Sequence, residues 1–252
     1  MAMATRVAFE VRAGRPVRCV ILTNGAAGGA SPAVRDAETL AALTRLGVRP
    51  EAVSFLGSRD EVQDGALVCS LDRSLAGVQD DLGFASIEQI FCLAWEGGHP
   101  DHDASHLVAL ALARERGLLG RVWQFSFYNG RGTLGGLFRV MSPVNGSGSR
   151  RRRISLGDGA RVALLARFYR SQRSTWMGLL PEALVKLVIL RREVMQEARP
   201  EAVLGRPHAG KLFYERRFGV DYESWRACAD PFIRGRVAPS SGVSGVAGPD
   251  RR

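Results

Sequence analysis

Apolar residues along the chain alternate between two periods, and that alternation predicts the fold. Residues 2–13 (AMATRVAFEVRA) read as a short helix, with Gly14 as its stop. Residues 16–23 (PVRCVILT) form an apolar, β-branched run of the kind that makes a buried parallel strand. After the loop NGAAGGASP, apolar residues return at helical spacing at Ala33, Ala37, Leu40, Leu43 and Leu46. Residues 51–57 then read as a strand, 71–83 as a helix, 88–95 as a strand, 103–117 as a helix and 121–128 as a strand. Strands separated by helices predict an α/β fold, a Rossmann-like open parallel sheet with helices on both faces. Residues 129–157 read as Gly- and Arg-rich linking sequence. The run Arg150–Arg153 within it reads as a solvated loop, with anion binding as the alternative. Residues 158–172 and 181–198 read as helices. The tail 236–252 is rich in Gly, Ser and Pro and reads as disordered, which leaves 1–235 as one α/β domain.

Composition changes this picture little. The chain has 252 residues, 46% of them hydrophobic, enough for a sizeable core. The net charge of +10 would favour an anionic partner, but the basic residues are nearly all arginine, with Lys186 and Lys211 the only lysines. That usage follows GC-rich coding, so the charge is not taken as a sign of nucleic acid. Cys19, Cys69, Cys92 and Cys228 make no C-x-x-C pair, and reduced thiols in a reducing compartment are expected. The first residues lack a signal-peptide core, and no run approaches the ~18 apolar residues of a membrane span. A cytoplasmic protein with a small-molecule substrate is therefore expected.

The chemistry concentrates in one loop. Three of the four histidines, His99, His102 and His106, lie in WEGGHPDHDASH, directly after the third strand. Open parallel sheets bind ligands at the carboxyl ends of their strands. Gly97 and Gly98 let the chain leave the strand sharply, and Pro100 stiffens the turn. His102 is a candidate metal ligand, Asp101 can orient a neighbouring imidazole, and His99 can act as an acid or oxyanion stabiliser. Asp103 is a candidate N-cap for the following helix. His106 lies one turn after His102, but HDASH lacks the glutamate of H-E-x-x-H, so a structural or pocket-lining role is expected.

These residues resemble the PIG-L/LmbE-like family of zinc-dependent N-deacetylases. Its H-x-D-H motif stands here as HPDH, His99 to His102. RCVILTNGAAGG resembles the family's second strand and T-[DN]-G loop, and Arg35 and Glu38 match its R-x-x-E helix start. FYRSQ, with Ser171 and Gln172, resembles its Y-x-S-Q segment, and PHAGKLFYERRFG the C-terminal part of some bacterial members. The resemblance covers roughly residues 2–235. It implies an LmbE-like fold and hydrolysis of an N-acetyl group on an amino sugar of the N-acetylglucosamine type. By it, His102 is a zinc ligand, His99 stabilises the tetrahedral intermediate or protonates the leaving amine, Asp101 orients His99, and Arg35 contacts substrate.

One departure bears on activity. The family's H-P-D-D-E motif, which supplies two zinc ligands and the aspartate that activates water, has no match in residues 1–15. The expectation is that the first strand, central in the family's sheet, is missing, through a reading frame that starts late or through degeneration. Zinc binding is then expected to be weak or absent. Two other readings stay open: a non-catalytic α/β protein that keeps a small-molecule pocket, and a nucleotide binder using TNGAAGGASP, which does not fit G-x-G-x-x-G.

Overall fold

The computed structural model describes residues 2–146 and 148–238. The chain opens with α1 (Ala4–Arg12), followed by β1 (Cys19–Ile21), α2 (Pro32–Arg45), β2 (Val53–Phe55) and the short α3 (Leu56–Arg59). Next come α4 (Leu71–Leu82), β3 (Ile90–Leu93), α5 (Pro100–Glu115) and β4 (Val122–Phe125). Up to this point the alternating hydrophobic pattern and the observed elements agree in order and type.

The pairing differs from one continuous parallel sheet. β1 pairs in parallel with β2, and β3 pairs in parallel with β4, but among the described residues no strand joins the two pairs. The outer edges of β1 and β3 thus carry no ladder partner. β1 is also shorter than its apolar run predicts, and Cys19, Val20 and Ile21 are only half-buried. A strand paired on one side leaves half of its backbone groups to water, which limits how deeply it can sink.

The second half of the chain departs further. β5 (Tyr128–Asn129) and β6 (Arg139–Val140) form a small antiparallel pair. β7 (Ser149–Arg153) and β8 (Arg192–Glu197) extend the β3–β4 sheet antiparallel, in the order β3-β4-β8-β7. The arginine run is therefore a strand and not a solvated loop. Residues 192–197 are a strand where helical spacing predicted a helix. Both reversals have one cause: pairing and packing outweigh local propensity. Glu193, 1% exposed, receives Thr5 Oγ1 at 2.6 Å, Arg6 at 3.0 Å and Arg152 at 2.8 Å, fastening α1 to this edge. Arg150 lies over Trp123 at 4.3 Å and Arg152 over Phe9 at 4.4 Å, so two of the four arginines are engaged within the fold.

α6 (Leu156–Ala163) and α7 (Arg173–Leu184) precede β8, and α8 (Phe213–Arg217) and α9 (Tyr222–Phe232) follow it. Beyond α9 one more turn runs to Val237, which is 1% exposed, so order extends past the predicted start of the tail at 236. The rest of that tail lies outside the described residues. Among the described residues no helix is long and apolar enough to cross a membrane.

α5 is the helix on which the site depends. Eleven of its sixteen residues are buried, so it is held on nearly all sides and not along one stripe. Leu107, Leu110 and Ala111 join Leu75, Val78, Cys92, Trp225 and Phe232 in the main core. Each fully buried leucine contributes roughly 1.5–3 kcal/mol. That anchorage fixes the first turn of α5, where the histidines lie.

Candidate functional site

The strand-to-helix turn is built by sequence-specific sterics. Gly97 has φ of +69°, and a Cβ there would meet Leu212 Cδ2 at 2.6 Å. A Cβ at Gly98 would fall 1.8 Å from the carbonyl oxygen of Tyr128. Only glycine fits at either place. His99 is the N-cap of α5, its Nδ1 accepting the Asp101 amide proton at 3.2 Å, and Pro100 occupies the first helical position. The helix thus starts three residues before Asp103, the predicted cap. Asp103, fully buried, instead accepts the amides of Glu96 at 3.0 Å and Gly97 at 3.2 Å, which pins the Gly-Gly turn.

Asp101 binds the neighbouring loop. Its Oδ2 accepts the Gly65 amide at 2.5 Å and its Oδ1 accepts the Leu67 amide at 3.1 Å. That loop carries Asp64, whose amide donates to Asn24 Oδ1 at 3.3 Å, and the Asn24 amide donates to Val62 O at 2.9 Å. The T-N-G loop after β1 is thereby joined to the loop that faces α5.

Asp64, His99 and Asp101 each offer a ligand atom within 4.8 Å of the others. His99 Nδ1 lies 3.8 Å from Asp101 Oδ2. Burial pushes Asp101 up to about 7; the Gly65 amide works against that rise and the Asp64 carboxylate adds to it. Burial lowers His99, and Asp64 partly opposes the drop. His102 lies outside the three-residue set but packs on it, its ring centroid 5.2 Å from that of His99, 5.6 Å from Phe127 and 5.3 Å from Tyr128. Its Nδ1 is buried with no hydrogen-bond partner, and burial, with His99 adding, holds its pKa well below the ordinary range. Asp64, His99 and Asp101 are three donors of the types a divalent cation such as zinc takes, and His102 adds a neutral imidazole with an unpaired nitrogen packed against them. Two neighbouring carboxylates also resist ionising together unless a cation offsets them.

Arg35 belongs to an adjoining network. Its Nε donates to Gly25 O at 3.1 Å, and its Nη1 donates to Glu38 Oε2 at 3.0 Å and Ser171 Oγ at 3.1 Å. Ser171 donates back to Glu38 through its amide at 2.8 Å and its hydroxyl at 2.6 Å. Burial alone would raise Glu38, but Ser171 and Arg35 bring it below the usual carboxylate range. The R-x-x-E and FYRSQ segments, far apart in sequence, thus form one unit. It reaches Asp64 only through Gly25 and Asn24, and no described hydrogen bond links Arg35 to His99, Asp101 or His102.

His106 is a core residue. It is fully buried, with Nδ1 2.9 Å from Leu93 O and 3.6 Å from Cys92 Sγ, and burial pushes it down to about 4. His208 pairs with Ala209 O at 2.8 Å. The sequence reading missed two acidic residues. Asp64 sits in a D-G turn after β2, at the same end of the parallel strands as HPDH, and that position was its signal. Glu96 closes an apolar strand. Fully buried, it accepts the amides of Phe127 at 2.7 Å and Tyr128 at 3.1 Å, Asn129 Nδ2 at 3.1 Å and the Ser126 hydroxyl.

Comparison with known proteins shows what the chain is similar to. Three solved deacetylase structures share the fold. The A40926 pseudoaglycone deacetylase Dbv21 aligns at TM-score 0.51 and 16% identity, over 78% of this chain and 92% of its own. A deacetylase–bog complex from teicoplanin biosynthesis aligns at TM-score 0.55 and 14% identity, over 78% and 93%. A deacetylase triple mutant from the teicoplanin pathway aligns at TM-score 0.52 and 18% identity, over 82% and 87%. The PIG-L family model, described as GlcNAc-PI de-N-acetylase, matches residues 1–113, and this segment contains Arg35, Asp64 and the whole HPDH turn. No curated protein matches the chain.

Proposed function

We propose that this chain is a zinc-dependent N-deacetylase that releases acetate from an N-acetylated amino sugar. The observation that carries the reading is the unpartnered Nδ1 of His102, buried beside His99 at the carboxyl end of β3, with Asp101 and Asp64 adjoining. His102 would hold the ion, with Asp64, whose carboxylate is not tied down by two amides as that of Asp101 is, as a further ligand. Bound zinc supplies a polarised amide carbonyl and a water acidified toward pKa ~7.

The chain's own residues supply orientation and proton handling. His99 Nδ1 accepts the Asp101 amide proton, so neutral His99 carries its ring proton on Nε2, where it can face an oxyanion or a leaving amine. Asp101, with a pKa of about 7, favours a positive charge on that imidazole when ionised. Phe127 and Tyr128 pack against the His102 ring and help fix its orientation. Arg35, tied to Glu38 and Ser171, is held first by this network, and its proposed contact with substrate is the part that a raised KM at unchanged stability would reveal.

A second arrangement is favoured by the spacing of Asp64, His99 and Asp101: those three would hold the ion, with His102 against them. The test is acetate and free-amine release from an N-acetylglucosamine derivative, with added zinc and with a chelator. Zinc-dependent release of both products supports the reading. Saturable binding of the sugar without release would favour a non-catalytic binding protein.

A further inference from the structure

Two cysteines far apart in sequence meet at the surface. Cys69 lies in the 3-10 turn Leu67–Ser70, and Cys228 lies on α9. The buried face of α9, with Tyr222, Trp225, Ala229 and Phe232, packs into the main core against this turn and sets the register between them. Both thiols are exposed and free, and both line one surface cavity of about 460 Å³, together with Asp72, Arg73, Pro231 and Phe232. The turn and α9 pack against each other, which brings the two thiols to one cavity wall, and Cys228, after burial, raises Cys69 above its ordinary value. The other two cysteines stand apart. Cys19 is pushed up to about 11 and Cys92 to about 12, both by burial. Spacing gave no sign of a pair; the fold creates one.

We propose that Cys69 and Cys228 form a reversible intrachain disulfide by exchange with a small-molecule disulfide. One thiolate attacks the reagent, forms a mixed disulfide and expels one thiolate, which takes up a proton. The second cysteine then attacks the protein sulfur of that mixed disulfide and expels the other. The chain gains one S–S bond and loses two hydrogens, which end on two molecules of released thiol. Half-buried Cys19 and buried Cys92 stay reduced, because burial holds both thiols protonated and neither has a second cysteine in its cavity.

The bond would tether α9 to the segment that presents Asp64 and the amides of Gly65 and Leu67 to Asp101. The inference does not depend on deacetylase activity. Because burial and Cys228 hold Cys69 protonated at neutral pH, exchange speeds up toward pH 9.

The full chain is incubated at pH 8 with excess oxidised glutathione, denatured, alkylated and analysed by mass spectrometry without reduction. The expected result is a fall from four alkylated thiols to two, with Cys69 and Cys228 peptides linked, at a rate independent of protein concentration. Cys228→Ser should stop at a single glutathione adduct on Cys69. Four free thiols after treatment, glutathione retained on both cysteines of the unsubstituted chain, or a link that grows with protein concentration would overturn the proposal.

Discussion

Asp101 and His99 approach to 3.8 Å, Oδ2 to Nδ1, yet each has a backbone amide as its first partner. Nδ1 takes the Asp101 amide proton, and Oδ2 takes that of Gly65. The carboxylate therefore influences the imidazole through space, from a fixed position. Burial lifts Asp101 to about 7 and lowers His99, so the charge state of the pair changes near neutrality. Acetate release should rise with pH as Asp101 ionises, at a pH that bound zinc brings below the metal-free value of about 7. Asp101→Asn should lose that limb and about 100-fold in rate, in line with a proton-transfer contribution. A pH–rate profile of both proteins checks this, and an unchanged limb in the variant would remove Asp101 from the chemistry.

Glu96 ties the end of β3 to the start of β5 through four donors. Glu96→Ala leaves the Phe127 and Tyr128 amides without their acceptor, at ~1–3 kcal/mol each and less than additively, while Ser126 and Asn129 keep Ser142 O. We expect a loss on the order of 3–5 kcal/mol in denaturant unfolding.

The same residue sets a pH dependence. Burial, opposed by its four donors, puts folded Glu96 at about 7, above the ~4.3 of an unfolded glutamate. Between those values the folded chain keeps a proton that the unfolded chain releases. Its contribution is fully present below ~4.3 and is lost as pH rises to about 7, the reverse of an ion-paired carboxylate. Glu96→Gln should flatten the stability-versus-pH curve between pH ~5 and ~7 relative to the unsubstituted chain. An identical slope in the two proteins would place the titration elsewhere.

Arg35 is held by Gly25 O, Glu38 and Ser171, so its removal should register first in stability. Arg35→Ala leaves Glu38 without its cation, and a loss of about 2–3 kcal/mol is expected for this partly buried pair. A variant of unchanged stability with a raised KM would instead free Arg35 for direct substrate binding.

His106→Ala should lower stability through the cavity and the lost Leu93 contact, by about 2–3 kcal/mol, while leaving zinc affinity unchanged. Loss of zinc with full stability would show that His106 is a ligand.

Much of the first half of the fold was legible because helical and strand periods alternate cleanly up to β4. HPDH after Gly-Gly also announced its own place, since those residue types make sense at a strand end. Residues 149–153 and 192–197 were not legible. SRRRR and REVMQE carry no strand signal of their own, and they become strands only by pairing with each other and with β4. The Cys69–Cys228 pair was hidden for the same reason, since its members are brought near by tertiary packing alone, while Asp64 had only its D-G turn after β2 to mark it.

The central claim is that His102 holds the ion at which an acetamide is cleaved. It is tested most directly by zinc-dependent acetate release in the full chain beside His102→Ala, with folding of both checked by thermal melting. The account predicts zinc-stimulated release in the unsubstituted chain and a loss of 100-fold or more in the variant, at similar melting temperature. Equal zinc-stimulated release from the two proteins would contradict it and transfer the ion to Asp64, His99 and Asp101.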